Sequence, residues 1–160
     1  MPPFRRLALL IAVFVAIDQI TKSWAVSALD DGRTIDIVWT LRFALGFNSG
    51  IAFSQAQGMG PLVGVIALIA VFFLLRYMLK ATHPLMAYGL AGILGGALGN
   101  IADRLFRGEG FLHGKVVDFI DFQWFPIFNV ADSCITIGAI VLMVSLFLEQ
   151  SETRKNSNAS

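Results

Sequence analysis

The sequence predicts an all-α membrane protein, four transmembrane helices with a small extended element joining the first two. Three observations carry this. Of 160 residues, 56% are hydrophobic and only 14% charged, too little charge to cover a water-facing surface of this size. Apolar runs close to the length of a bilayer crossing recur at about 7–28, 61–79, 84–102 and 127–148. Between the first two, Arg33–Phe43 alternates loosely, with Ile35, Ile37, Trp39 and Leu41 on one side, the period of one or two strands at a membrane surface. The spans form a single domain over 1–150, and the polar residues from 151 to 160 read as a disordered tail.

Taken in order, the first span has a basic start at Arg5 and Arg6 and an apolar core. No Ala-x-Ala-like cleavage site follows that core, so it reads as an uncleaved helix rather than a secretory leader. Asp18 and Lys22 interrupt it at i and i+4, acid first, side by side on one helix face. Asn48–Ser54 follows the extended element; alone it reads as a turn, in which Gly46 and Gly50 let the backbone bend or approach a ligand. Gln55–Gly60 reads as loop. The second span carries no charge before Arg76 and Lys80 at its end. The third holds Gly92 and Gly96, a small-x-x-x-small face suited to close packing in lipid.

The remaining composition mostly excludes. A net charge of +1, with no basic cluster beyond two adjacent residues, gives no ground for nucleic-acid binding. Cys134 stands alone, which rules out an internal disulfide and a cysteine-based zinc site, and it reads as a small buried residue. His83 and His113 are too few and too far apart to suggest a metal site. Four spans put both termini on one side. Arg5, Arg6, Arg76, Lys80, Arg154 and Lys155 fall in three short segments there, whereas the Lys and Arg of the long connections are spread thinly. The positive-inside rule then places both termini in the cytoplasm and every unusual motif outside.

Among the acids, Asp132 lies about a turn and a half inside the fourth apolar run, with no cation within ten residues in sequence. An acid so placed is a functional-site hypothesis by default. Asn100-Ile101-Ala102-Asp103 and Asn129-Val130-Ala131-Asp132 echo one another. Asp103, however, precedes Arg104 and Arg107 and reads as an ion-paired, structural anion. Asp132, without such a partner, suits acid/base work. Its partner acid is Asp118 or Asp121, which lie in the alternating run Val116–Phe122 and face opposite sides of an extended segment. The residues alone leave that choice open.

These stretches resemble the lipoprotein signal peptidases (signal peptidase II), small four-span bacterial membrane enzymes. Asp18-Gln19-Ile20-Thr21-Lys22, Asn48–Ser54, Gly95–Arg104, Val116-Val117-Asp118-Phe119 and Phe128–Ser133 are similar to five motifs of that family, in the family's order. The resemblance implies an aspartyl endopeptidase with Asp118 and Asp132 as its catalytic dyad. The implied reaction removes the signal peptide from a diacylglyceryl-modified prolipoprotein, just before the lipidated cysteine. It further implies that Asn48, Gly50, Asn100, Arg104 and Asn129 hold substrate or dyad, with Asp18, Lys22 and Asp103 as structural polar groups. It adds a small extracytoplasmic sheet and a short surface helix. The link from Phe119 to Phe128 is shorter than in many members. The expected protein is a monomer of the bacterial inner membrane with its site near the outer face, in contact with lipid, using no cofactor or metal. The alternatives from other classes are a small proton-coupled transporter and a non-enzymatic assembly protein using the glycine-rich face.

Overall fold

The computed structural model describes residues 2–50 and 59–158. Among them the order is α1 (Phe4–Leu29), β1 (Thr34–Val38), β2 (Leu41–Asn48), α2 (Gly60–Met78), α3 (Pro84–Phe106), β3 (Val116–Asp121) and α4 (Val130–Asn158). All four helices are long and apolar enough to cross a membrane, and the chain is a multi-pass membrane protein. The short surface helix does not occur among the described residues, and Ile51–Ser54 of the second motif and the loop reading at Gln55–Gly58 lie outside them.

In lipid a helix needs no polar face, so the sequence cannot show which helix sits at the centre by amphipathicity alone. The glycines decide it. Of the most apolar window in α3, 61% is buried, against 17% in α1, 11% in α2 and 17% in the apolar part of α4. A Cβ at Gly96 would run into the carbonyl oxygen of Ala131 on α4, and one at Gly95 would lie 2.7 Å from Phe14 Cβ on α1. Small residues thus bring the backbones of α3 and α4 together, which is how helices associate where burial from water supplies no drive. At its other end α3 begins on Pro84, and His83 Nδ1 accepts the Leu85 N–H at 3.2 Å as a cap. Phe72, Phe73 and Ile66 of α2, with Ile137 and Phe147 of α4, stay exposed as a lipid-facing surface.

The strands form one antiparallel sheet in the order β1-β2-β3. It packs on the end of α1 through Ala25, Leu29 and Phe119, with Trp24, Phe43 and Phe119 in edge and tilted ring contacts. An irregularity in β2 between Phe43 and Gly46 sets the register, so that Asp118 lies opposite Gly46 and Asp121 opposite Arg42.

Two boundaries differ from those expected. The fourth helix starts at Val130, not 127, because Phe128 belongs to the sheet: its N–H donates to Ile120 O at 3.1 Å and its carbonyl accepts from Ile120 at 2.8 Å. The short link from Phe119 is therefore a reversal that folds back on its own strand. At the other end the helix runs on to Asn158, through the residues read as a disordered tail. Polar composition argues against a buried face, but neither Gly nor Pro interrupts 149–158.

Candidate active site

β3 ends the sheet against the helices, and α4 begins where the chain leaves it. Asp118, in the middle of β3, and Asp132, in the first turn of α4, line one cavity of about 250 Å³ with Asn48, Gly50, Asn100 and Arg104. Val63 and Ala67 of α2, Ala97 and Ile101 of α3 and Ile135 of α4 supply its apolar wall.

Asp132 is oriented by a reciprocal cap. Asn129 precedes α4, its Oδ1 accepts the Asp132 N–H at 2.9 Å, and Asp132 Oδ2 accepts the Asn129 N–H at 3.2 Å. This is the capping-box arrangement, here with Asn and Asp three residues apart. The three-residue spacing of Asn129 and Asp132 is thus that of a cap and the first turn it satisfies. Asn129 Nδ2 then donates to Asp118 Oδ1 at 2.6 Å and to Asn100 Oδ1 at 3.2 Å, while Asn100 Nδ2 donates to Asp132 Oδ1 at 2.9 Å. Two amides therefore tie the two carboxylates together.

Asp118 is buried. Its pKa is pushed up to about 7, first by burial and then by the charge of Asp132, against hydrogen bonds from Asn129 and Asn48 and the charge of Lys22. A carboxyl that gives up its proton near neutrality, beside a second carboxyl, is the arrangement in which one acid serves as base while the other holds a proton.

Arg104 is buried, and it does not pair with Asp103 as its sequence position suggested. Its Nη2 donates to Gly50 O at 3.1 Å, and its Nη1 has no hydrogen-bond partner among the described residues. Asn48 Oδ1 accepts the Gly50 N–H at 3.0 Å, forming the tight turn at the cavity mouth.

Beneath the cavity lies an ionic cluster. Lys22 Nζ reaches Asp18 Oδ2 at 2.8 Å and Asp103 Oδ2 at 2.9 Å, all three fully buried, and Arg107 Nε reaches Asp103 Oδ1 at 2.8 Å. Gln19, quoted in the first motif without a role, closes it: its Nε2 lies 3.0 Å from Asp103 Oδ1 and 3.1 Å from Gly99 O. Its i, i+3 spacing from Lys22 on the helix was the available signal for it. Asp121 does not enter the cavity. It is buried, paired with Arg42 at 2.7 Å, and accepts the Gln123 N–H at 2.6 Å. Asp121, the other candidate partner of Asp132, is thus turned away from it: cross-strand register gives it a cation that linear spacing does not reveal.

The chain matches the signal peptidase (SPase) II family over residues 10–148. It belongs to that family. The chain is 42% identical over 156 residues to the lipoprotein signal peptidase of Rhodococcus jostii, covering 94% of this chain and 79% of that one. It is 43% identical over 149 residues to the Mycobacterium avium protein of the same name, covering 89% and 80%. A bacterial membrane enzyme solved by the in meso method at 2.3 Å superposes with a TM-score of 0.81 at 29% identity, over 92% of this chain and 90% of that one. A second, at 1.9 Å, gives 0.76 at 30%, over 88% and 92%. Membership makes the chain a peptidase of a bacterial membrane.

Proposed function

We propose that this signal peptidase II is an intramembrane aspartyl endopeptidase acting on diacylglyceryl-modified prolipoproteins, cleaving just before the lipidated cysteine. The observation that carries it is the pair Asp118 on β3 and Asp132 at the start of α4, tied by Asn129 and Asn100 in one cavity. The names of the relatives supply the substrate class.

In this reading the pair shares one proton. The ionised acid takes a proton from a water, whose oxygen attacks the scissile carbonyl; the protonated acid donates to the carbonyl oxygen. Collapse of the tetrahedral intermediate breaks the C–N bond: the leaving amine takes its proton from the carboxyl that received it from water, and one hydroxyl of the intermediate returns its proton to the other carboxylate, which restores the shared proton. Arg104, with one nitrogen committed to Gly50 and the other unpartnered among the described residues, is a donor for a substrate backbone carbonyl. The apolar wall of Val63, Ala67 and Ile135 lets the acyl chains remain in lipid while the peptide lies at the surface. Both termini are cytoplasmic, the site lies near the outer face, and the protein works as a monomer on residues of this one chain.

A proton-coupled transporter needs its acid near the middle of a span. Asp132 sits in the first turn of α4 and Asp118 on a strand outside the spans, which disfavours that alternative. The test is incubation of the purified protein with a lipidated precursor and mass analysis of both products. A product whose first residue is the lipidated cysteine is the expected result; no cleavage, or cleavage elsewhere, ends the proposal.

A further inference from the structure

Lys22 donates from one ammonium to three acceptors: Asp18 at 2.8 Å, Asp103 at 2.9 Å and Asn100 Oδ1 at 2.8 Å. That uses all three of its protons. Each acceptor continues either to the residue immediately before a dyad acid or to a dyad carboxylate. Asp18 Oδ1 accepts the N–H of Ala131, immediately before Asp132, at 2.9 Å. Asp103 Oδ2 accepts the N–H of Val117, immediately before Asp118, at 3.1 Å. Asn100, its carbonyl oxygen held by Lys22, is left with its amino group toward Asp132. Were that amide flipped, it would present an amino group to the ammonium and an oxygen to the carboxylate, both repulsive. A pair that merely stapled two helices would have no reason to meet all three routes at one atom.

We propose that Lys22 is the positioning residue of the site, its single ammonium holding Asp118, Asp132 and the Asn100 amide at the separation where the two carboxylates share a proton. This rests on the aspartyl reading above. The charged groups concerned are Asp118 and Asp132, Asp18 and Lys22 on α1, and Asp103, Arg104 and Arg107 on or after α3. Two acids and two cations balance in the cluster of Asp18, Lys22, Asp103 and Arg107; without Lys22 an uncompensated acid remains beside the dyad.

The variants are Lys22→Met, Lys22→Arg and the charge-balanced Asp18→Asn/Lys22→Met. Each is read by turnover of a lipidated precursor across pH, by precursor affinity, and by the infrared carbonyl band of the protonated carboxyl that Asp118→Asn abolishes. Removing the positive charge should hold the dyad's proton more tightly, so the pH–rate bell and the infrared titration both move upward by about one pH unit. Misplacement of the pair should lower kcat on the order of 100-fold with little change in affinity. Lys22→Arg should return the bell to the wild-type position because it keeps the charge. The double variant should fold where Lys22→Met does not; because it also removes the Asp18 charge its bell should move less, while kcat should still fall on the order of 100-fold with little change in affinity. An unmoved bell and band in folded Lys22→Met, or a wild-type kcat in the folded double variant, would overturn the proposal, as would failure of both to fold, which makes Lys22 a folding residue. Absence of cleavage by the wild type, or cleavage by Asp118→Asn, would instead sink the aspartyl reading, while the infrared titration still decides the Lys22 proposal.

Discussion

At the scale of single residues, Asp118 is held in a state that works against stability. Its folded pKa of about 7 lies above the ordinary value of 3.8, so between those values the folded state binds a proton that the unfolded state has released. The contribution of Asp118 to stability therefore falls as pH rises from about 4 to about 7 and is constant above that range. Asp118→Asn should raise the thermal midpoint in detergent at pH 8, the gain shrinking toward pH 4, while turnover falls by roughly three or more orders of magnitude. A destabilised Asp118→Asn at pH 8 would contradict the burial argument. Asp132→Asn should be equally inactive yet still bind precursor. Asp121→Asn is the matched control: its carboxylate faces Arg42 rather than the cavity, so most activity should survive, with a modest loss of sheet stability. Precursor cleavage by the three variants, side by side, checks the assignment; a dead Asp121 variant beside an active Asp118 variant would reverse it.

At the scale of elements, the crossing of α3 and α4 sets how far Asp132 lies from Asn100. A Cβ at Gly96 meets backbone, the Ala131 carbonyl, which cannot move without dragging the first turn of α4. Gly96→Val should cost about 3 kcal/mol or more and take activity with it. At Gly92 a Cβ would stand 3.3 Å from Gly138 Cα, a tight but adjustable contact, so Gly92→Ala should fold and cleave. Folded yields and turnover of the two variants compare them directly; equal tolerance would mean that the close approach at Gly96 is not needed. These elements also show what linear reading reaches. The four spans and the glycine face were legible because length, hydropathy and small-residue spacing are local properties. The sheet was legible as an extended element, but its register was not. That register, set by the irregularity between Phe43 and Gly46, sends Asp121 to Arg42 and leaves Asp118 at the cavity. Likewise the cap between Asn129 and Asp132 depends on where α4 starts, and Phe128's pairing with Ile120 fixes that from outside the apolar run. Arg104 shows the same limit: a neighbour in sequence to Asp103, it turns to Gly50 from the next position on the helix.

At the scale of the whole molecule, the four helices fix a parity. The apolar parts of α1, α2, α3 and α4 each cross once, so the start of α1 and the end of α4 share a side, as do the link from α2 to α3 and both termini. The sheet, the cavity and the ionic cluster then lie together at the opposite side. Arg5, Arg6, Arg76, Lys80, Arg154 and Lys155 fall in the short segments of the first side. On the second, Arg33 is paired with Asp31, Arg42 with Asp121 and Arg107 with Asp103. Cationic density in short segments is what retains a segment in the cytoplasm, which supports the proposed orientation with the sheet side outside. A reporter active only in the cytoplasm should work when fused after Ser160 and fail when inserted at Asp31, in the exposed turn before β1. A reporter active only outside should give the reverse. Neutralising Arg5, Arg6, Arg76 and Lys80 together should weaken that preference, detected as mixed labelling of a cysteine placed at Asp31 by a membrane-impermeant reagent in a Cys134→Ala background. Labelling of Asp31→Cys only after the membrane is opened, in the otherwise unaltered chain, would place the cavity on the cytoplasmic side and remove the route by which an exported, lipid-anchored precursor reaches it.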